Sequence, residues 1–255
     1  MRISQQSPPL QERAKLPSVT SPLPRSCNKM AAPSVGSSSS KQVLRILALH
    51  GYRQNEQSFW ERTGSLRKNL KNRAEIVMIS APLVIPCSDS DGENDPREDP
   101  RGWWFSDPEK AHFNATDETK SCSGLEQSMN ALAKAFSELG PFNGVLGFSQ
   151  GAALLAMLCS LKQRGDPRFQ FDFAILVAGF KSCAFDHTDF YKEPITIPSL
   201  HVYGDTDRVI PGEMSQELSS HFVNPVILTH PGGHYIPVCA AQKKVYFPFL
   251  DSFRK

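Results

Sequence analysis

The chain has 255 residues, 40% of them hydrophobic and 21% charged, and its 28 basic and 26 acidic side chains leave a formal charge of +2. These values fit one medium-sized globular domain, or two small ones, and exclude collagen-like, coiled-coil and wholly disordered chains. The near-zero charge argues against a nucleic-acid or anionic-membrane binder, and no apolar run reaches the roughly 18 residues a transmembrane helix needs.

In chain order, residues 1–40 stand apart: ten Ser, six Pro and five basic residues against one acid, Glu12. Such a stretch buries too little apolar surface to offset chain entropy and is expected to be a disordered leader. The apolar run VLRILAL (43–49) reads as a buried strand, SFWERTGSLRKNLK (58–71) as a helix with one exposed face, and EIVMIS (75–80) as a second strand. The acidic, turn-rich CSDSDGENDPREDP (87–100) reads as a flexible loop. A helix follows over 124–140, with Leu125, Met129, Leu132 and Phe136 at helical spacing and Gly140-Pro141 as its stop. Then come a strand at 143–148, an apolar helix at 150–163, strands at 171–180, 199–204 and 224–230, and helices at 211–222 and 238–253.

Strand and helix alternate, and the strands are continuous apolar runs. That pattern belongs to a mostly parallel central sheet with helices on both faces, here one domain over 41–255. Ligands in this class bind beyond the carboxyl ends of the strands. The third strand ends in Gly147-Phe148-Ser149-Gln150-Gly151 and runs straight into an apolar helix. G-x-S-x-G in a strand–turn–helix setting puts a serine on a sharp turn, where bulky neighbours would strike the adjoining backbone. The first free N–H groups of the helix point at the same spot.

A serine hydroxyl of high pKa needs a base, and the base an orienting carboxylate. SLHVYG ends in Gly204-Asp205-Thr206-Asp207, and NPVILTH in Pro231-Gly232-Gly233-His234. Among seven histidines His234 is preferred, because two glycines precede it in a loop beyond a strand; His230 is its main rival. For the acid, Asp205 and Asp207 compete. Asp207 is favoured because it lies further out in the loop, with Pro211 fixing the chain beyond; either could simply cap a turn. The first strand ends in His50-Gly51-Tyr52-Arg53-Gln54, and the backbone N–H groups of Tyr52 and Gln150 are the expected oxyanion-hole donors.

The segments LALHGYRQN, PRGWWF, GPFNGVLGFSQGAAL, LHVYGDTDRVIP and HPGGHYIP, in this order, resemble the family of serine hydrolases (FSH) branch of the α/β-hydrolases. The resemblance covers about residues 43–253. It implies the α/β-hydrolase fold, a triad at Ser149, Asp207 and His234, and a serine esterase acting on carboxylic esters with medium to long alkyl acyl chains. The leader lies outside it.

Trp103, Trp104 and Phe105 are candidates for an apolar wall that receives the acyl chain, or for core; no basic pair is seen to hold a charged acyl group. The long connection 180–198 is a candidate lid. No metal site, dinucleotide motif or phosphate loop is present, so no cofactor or metal is expected. Six cysteines without C-x-x-C spacing suit reduced thiols in the cytoplasm, with nuclear access; mitochondrial targeting by the leader is a minority alternative. The expected partner is a small-molecule ester with an apolar acyl chain, not nucleic acid, and the oligomeric state is open. Rival functions are an acyl-protein or acyl-CoA thioesterase using the same triad, and a non-catalytic binding protein that retains the fold.

Overall fold

The computed structural model describes residues 41–86, 99–120 and 122–255. The leader and all but the last two residues of the acidic loop lie outside the described residues. The chain runs β1 (Leu44–Leu49), α1 (Glu56–Arg62), α2 (Gly64–Leu70), β2 (Ala74–Ile79), β3 (Leu83–Val84) and β4 (Arg101–Gly102). It continues through α3 (Leu125–Leu139), β5 (Gly144–Phe148), α4 (Gln150–Gln163) and β6 (Phe173–Val177). A 3-10 segment, Phe185–Tyr191, precedes β7 (Ser199–Gly204), α5 (Gly212–Ser220), β8 (Val226–His230) and α6 (Ala240–Asp251).

Six strands form one parallel sheet in the order β2-β1-β5-β6-β7-β8. Every residue of β5, β6 and β7 is buried, as expected of strands covered on both faces, whereas the edge strands β2 and β8 alternate or are half exposed. From β1 the chain steps out to β2, then reverses and crosses β1 to reach β5. With right-handed crossovers, that reversal sets α1 and α2 on one face and α3 and α4 on the other. The last helix joins the α2 face, where Lys243 Nζ of α6 donates to Asn69 Oδ1 at 2.9 Å. The reversal also makes the carboxyl ends of β1 and β5 the switch point of the sheet, where such folds bind ligands.

The single helix expected at 58–71 is two. Thr63 closes α1 and opens α2 with φ −102° and ψ 12°; its Oγ1 donates to Phe59 O at 2.7 Å beside its own N–H, and Trp60 O, the next acceptor of the ladder, is taken by the Arg67 guanidinium at 2.9 Å. Asn55 caps α1 through a reciprocal pair with Ser58. The strand expected at 171–180 is shorter: Ala178 N–H still donates in register to Val202 O, but Ala178 takes a left-handed φ of 48°, which turns the chain out of the sheet. The small antiparallel pair β3–β4 was not expected; it joins Leu83 to Gly102 and Val84 to Arg101. No helix among the described residues is long and apolar enough to cross a membrane.

Candidate active site

Ser149 ends β5 with φ 54° and ψ −118°, a conformation that costs a non-glycine residue about 1–3 kcal/mol. The surroundings enforce it. Its N–H donates to Val177 O at 2.9 Å, and its carbonyl accepts from Ala152 and Ala153 N–H at 2.9 and 3.1 Å. The flanking glycines are required sterically: a Cβ at Gly147 would lie 2.4 Å from Gly151 O, and one at Gly151 2.4 Å from Leu49 O. The second contact shows that α4 starts directly against the end of β1.

Asp207 is buried between two sets of donors. Its Oδ1 accepts from Val209 and Ile210 N–H, both at 2.9 Å, and its Oδ2 accepts from His234 Nδ1–H at 2.7 Å. The second bond fixes the tautomer and leaves His234 Nε2 bare. The Phe148 ring lies 4.7 Å from the imidazole and limits its rotation. Ser149 and His234 line the same cavity, of about 370 Å³. Among the described residues the Ser149 hydroxyl bonds to no other group; in substrate-free sites nucleophile–base bonds are often longer than in the working complex. Asp205 is exposed. His230 is buried, with its Nδ1 accepting from Gly232 N–H at 3.3 Å and its Nε2 without a partner, against the Tyr235 ring.

The backbone N–H groups of Tyr52 and Gln150 have no acceptor among the described residues. The turn that carries Tyr52 is tied from several sides. Gly51 N–H donates to Gln54 Oε1 at 2.8 Å, Arg53 N–H to Arg101 O at 2.9 Å, and Arg101 N–H to Gln54 O at 3.0 Å. His50 staples it from below: Nδ1–H donates to Gly51 O at 2.8 Å, and Nε2 accepts from Ala81 N–H at 2.9 Å. Acceptance at Nε2 needs a neutral ring, and burial lowers the His50 pKa to about 4.

The structure does not bring Trp103, Trp104 or Phe105 to this cavity. Both tryptophans are at most 1% exposed and form a belt under the nucleophile turn. Trp103 Nε1–H donates to His50 O at 2.8 Å, Trp103 N–H donates to Gln150 Oε1 at 2.9 Å, and Gln150 Nε2–H donates to Trp104 O at 2.8 Å. Phe105 is buried in a bridge to Ser123. The apolar cavity wall is instead Phe113, Ala115, Phe148, Val209 and Ile210. Phe113 and Ala115 sit in an aperiodic stretch, where no sequence signal could single them out. Arg53 and Arg62 also line the cavity, which corrects the reading that no basic pair is present; Arg53 stood in plain view beside the His50-Gly51 motif.

The connection 180–198 does not line the cavity either, and it is pinned down. His187 holds Cys122 Sγ at 2.8 Å through Nε2 and Ser182 Oγ at 2.7 Å through Nδ1. Burial lowers the His187 pKa to about 4 and raises that of Cys122 to about 11, so this second Cys/His/Ser group is a neutral clamp, not an activated nucleophile.

Residues 39–246 match the family described as serine hydrolase (FSH1). The esterase OVCA2 of Xenopus tropicalis is 64% identical over 228 residues, covering 88% of this chain and 99% of that protein. The esterase OVCA2 of Homo sapiens is 47% identical over 223 residues, covering 84% and 98%. Among solved structures, acyl-protein thioesterase 2 of Zea mays is similar in fold, with a TM-score of 0.58 at 20% identity over 84% of this chain and 95% of that one.

Proposed function

The chain belongs to the serine hydrolase (FSH1) family, and from that premise we propose that it is a carboxylic-ester hydrolase working through an acyl-enzyme on Ser149. The observation that carries the reading is the 2.7 Å bond from His234 to buried Asp207, at a cavity whose wall includes Ser149 on its strained turn. Ser149 Oγ attacks the ester carbonyl while His234 Nε2 takes its proton. Asp207 holds the tautomer and steadies the imidazolium. The carbonyl oxygen, now negative, receives the Tyr52 and Gln150 N–H groups. His234 then protonates the leaving alkoxide, and water deacylates Ser149 by the same route. The substrate is an ester with a medium to long alkyl acyl chain; Phe113, Val209 and Ile210 offer that chain an apolar wall. A thioester would meet the same machinery, and matched oxygen and thio esters in competition separate the two. The free state of the four described cysteines supports a reducing, cytoplasmic location.

The test is covalent labelling by a fluorophosphonate together with turnover of p-nitrophenyl octanoate. Wild type is expected to do both. Ser149→Ala should do neither while keeping its melting temperature, since loss of a triad nucleophile typically costs several decades in rate. A folded variant retaining more than about a tenth of wild-type turnover would falsify the assignment.

A further inference from the structure

Resting on the esterase reading, we propose that Arg53 and Arg62 form an anion-binding subsite of the same cavity, so that the preferred substrate is an ester or thioester carrying a phosphate or carboxylate away from the scissile bond. The two residues reach the cavity from different elements: Arg53 from the turn that presents the Tyr52 N–H, and Arg62 from the last turn of α1. Several other arginines are ion-paired, Arg45 with Glu75, Arg73 and Arg254 with Asp251, and Arg168 with Asp166. Among the described residues neither Arg53 nor Arg62 has a side-chain hydrogen bond or an ion pair. Among the described residues no Asp or Glu lines the cavity, whose described wall carries these two positive charges.

Like charges gathered at the mouth of a cleft raise the local concentration of an oppositely charged substrate and speed its arrival. The placement of Arg53 is itself costly. Its φ of 64° lies in the left-handed region, where glycine or asparagine is the ordinary choice. Arg53 follows Tyr52 directly in this turn, and both line the cavity together with Ser149. The planar fork of arginine matches the oxygens of phosphate and carboxylate with paired charge-assisted bonds. The division of labour is then plain. Phe113, Val209 and Ile210 take the alkyl arm, and the arginines take the charged one.

Two substrate pairs locate the anion. Octanoyl-coenzyme A against S-octanoyl-N-acetylcysteamine places phosphates on the leaving side. Mono-p-nitrophenyl suberate against p-nitrophenyl octanoate places a carboxylate on the acyl side. The readout is the charged-to-neutral ratio of kcat/KM in wild type, Arg53→Gln, Arg62→Gln and Arg62→Lys, each checked by thermal melting. In one of the pairs, wild type should favour the charged member about tenfold or more. The ratio should drop about five- to tenfold in each Gln variant, shrink as salt is added, and be largely kept by Arg62→Lys. A wild type indifferent to charge in both pairs overturns the proposal, as does a preference that survives both Gln variants. Those results leave the esterase reading standing, because the neutral esters are still consumed. A wild type that turns over none of the four removes both.

Discussion

Asp207 and Asp205 show how much two residues of chain decide. Asp207 accepts three hydrogen bonds, one of them from His234, while Asp205 is exposed with only its backbone N–H tied, to His230 O. In Asp207→Asn the amide oxygen stays with the Val209 and Ile210 N–H groups, so its N–H₂ faces Nδ1 and forces the opposite tautomer, and such a loss can cost on the order of 10⁴ in rate. Asp205→Asn should leave kcat within about twofold, as surface substitutions usually do. Initial rates on p-nitrophenyl octanoate compare the two, and an inactive Asp205 variant beside an active Asp207 one would shift the acid by two residues. The same scale explains why part of the site was readable and part was not. Ser149, Asp207 and His234 are polar residues placed just after apolar strand runs, a contrast that sequence displays directly. The side-chain role of Gln150 is hidden, because it bonds to Trp103 and Trp104, 47 and 46 positions away, whereas its backbone N–H follows from the position after Ser149.

At the scale of elements, strands fully buried between helices were legible as apolar runs: β7 and α4 fall on their expected residues, and β1 and β5 within one. What escaped was set by contacts distant in sequence. The break at Thr63 goes with side-chain bonds to Phe59 O and Trp60 O, in a stretch whose apolar spacing reads straight through it. The aromatic belt could equally have been core or groove, since both bury apolar surface, and only the partners of Trp103 and Trp104 decide for core. The apolar wall of the cavity therefore includes the segment around Phe113, and on the proposed reading that wall takes the acyl chain. Each methylene buried is worth up to about 0.8 kcal/mol, or about fourfold in binding. Phe113→Ala should accordingly flatten the rise of kcat/KM from butyl to decyl p-nitrophenyl esters. Trp104→Phe should keep that slope and lower the melting temperature instead. The opposite pattern would return the tryptophans to the groove.

Across the whole molecule, three buried histidines bind few protons in the folded state. Burial lowers His50 and His187 to about 4 and His201 to about 3, from an ordinary value of 6.5. Between those values the unfolded chain binds more protons, so stability is complete above the unfolded value and is lost as the pH falls through the folded ones. Each histidine steepens the loss by at most about 1.4 kcal/mol per pH unit. Melting temperatures should therefore fall from about pH 6.5 downward, and less steeply in His201→Leu; a profile flat to about pH 4 would mean that the rings are charged in the fold. The sheet also distributes the active site unevenly. Ser149 follows β5, which is paired on both sides, but His234 hangs from β8, an edge strand paired only with β7 and with three of its five residues exposed. Edge elements open at lower free energy than the core, and their amides exchange with solvent sooner. Fraying of β8 would carry the imidazole away while the tryptophan belt stayed dry. In a urea titration, catalysis should vanish before tryptophan fluorescence reports any change, and deuterium should enter β8 ahead of β5. Coincident curves would show that the edge holds as firmly as the centre. If they separate, mild stress silences this hydrolase reversibly, with its architecture still standing.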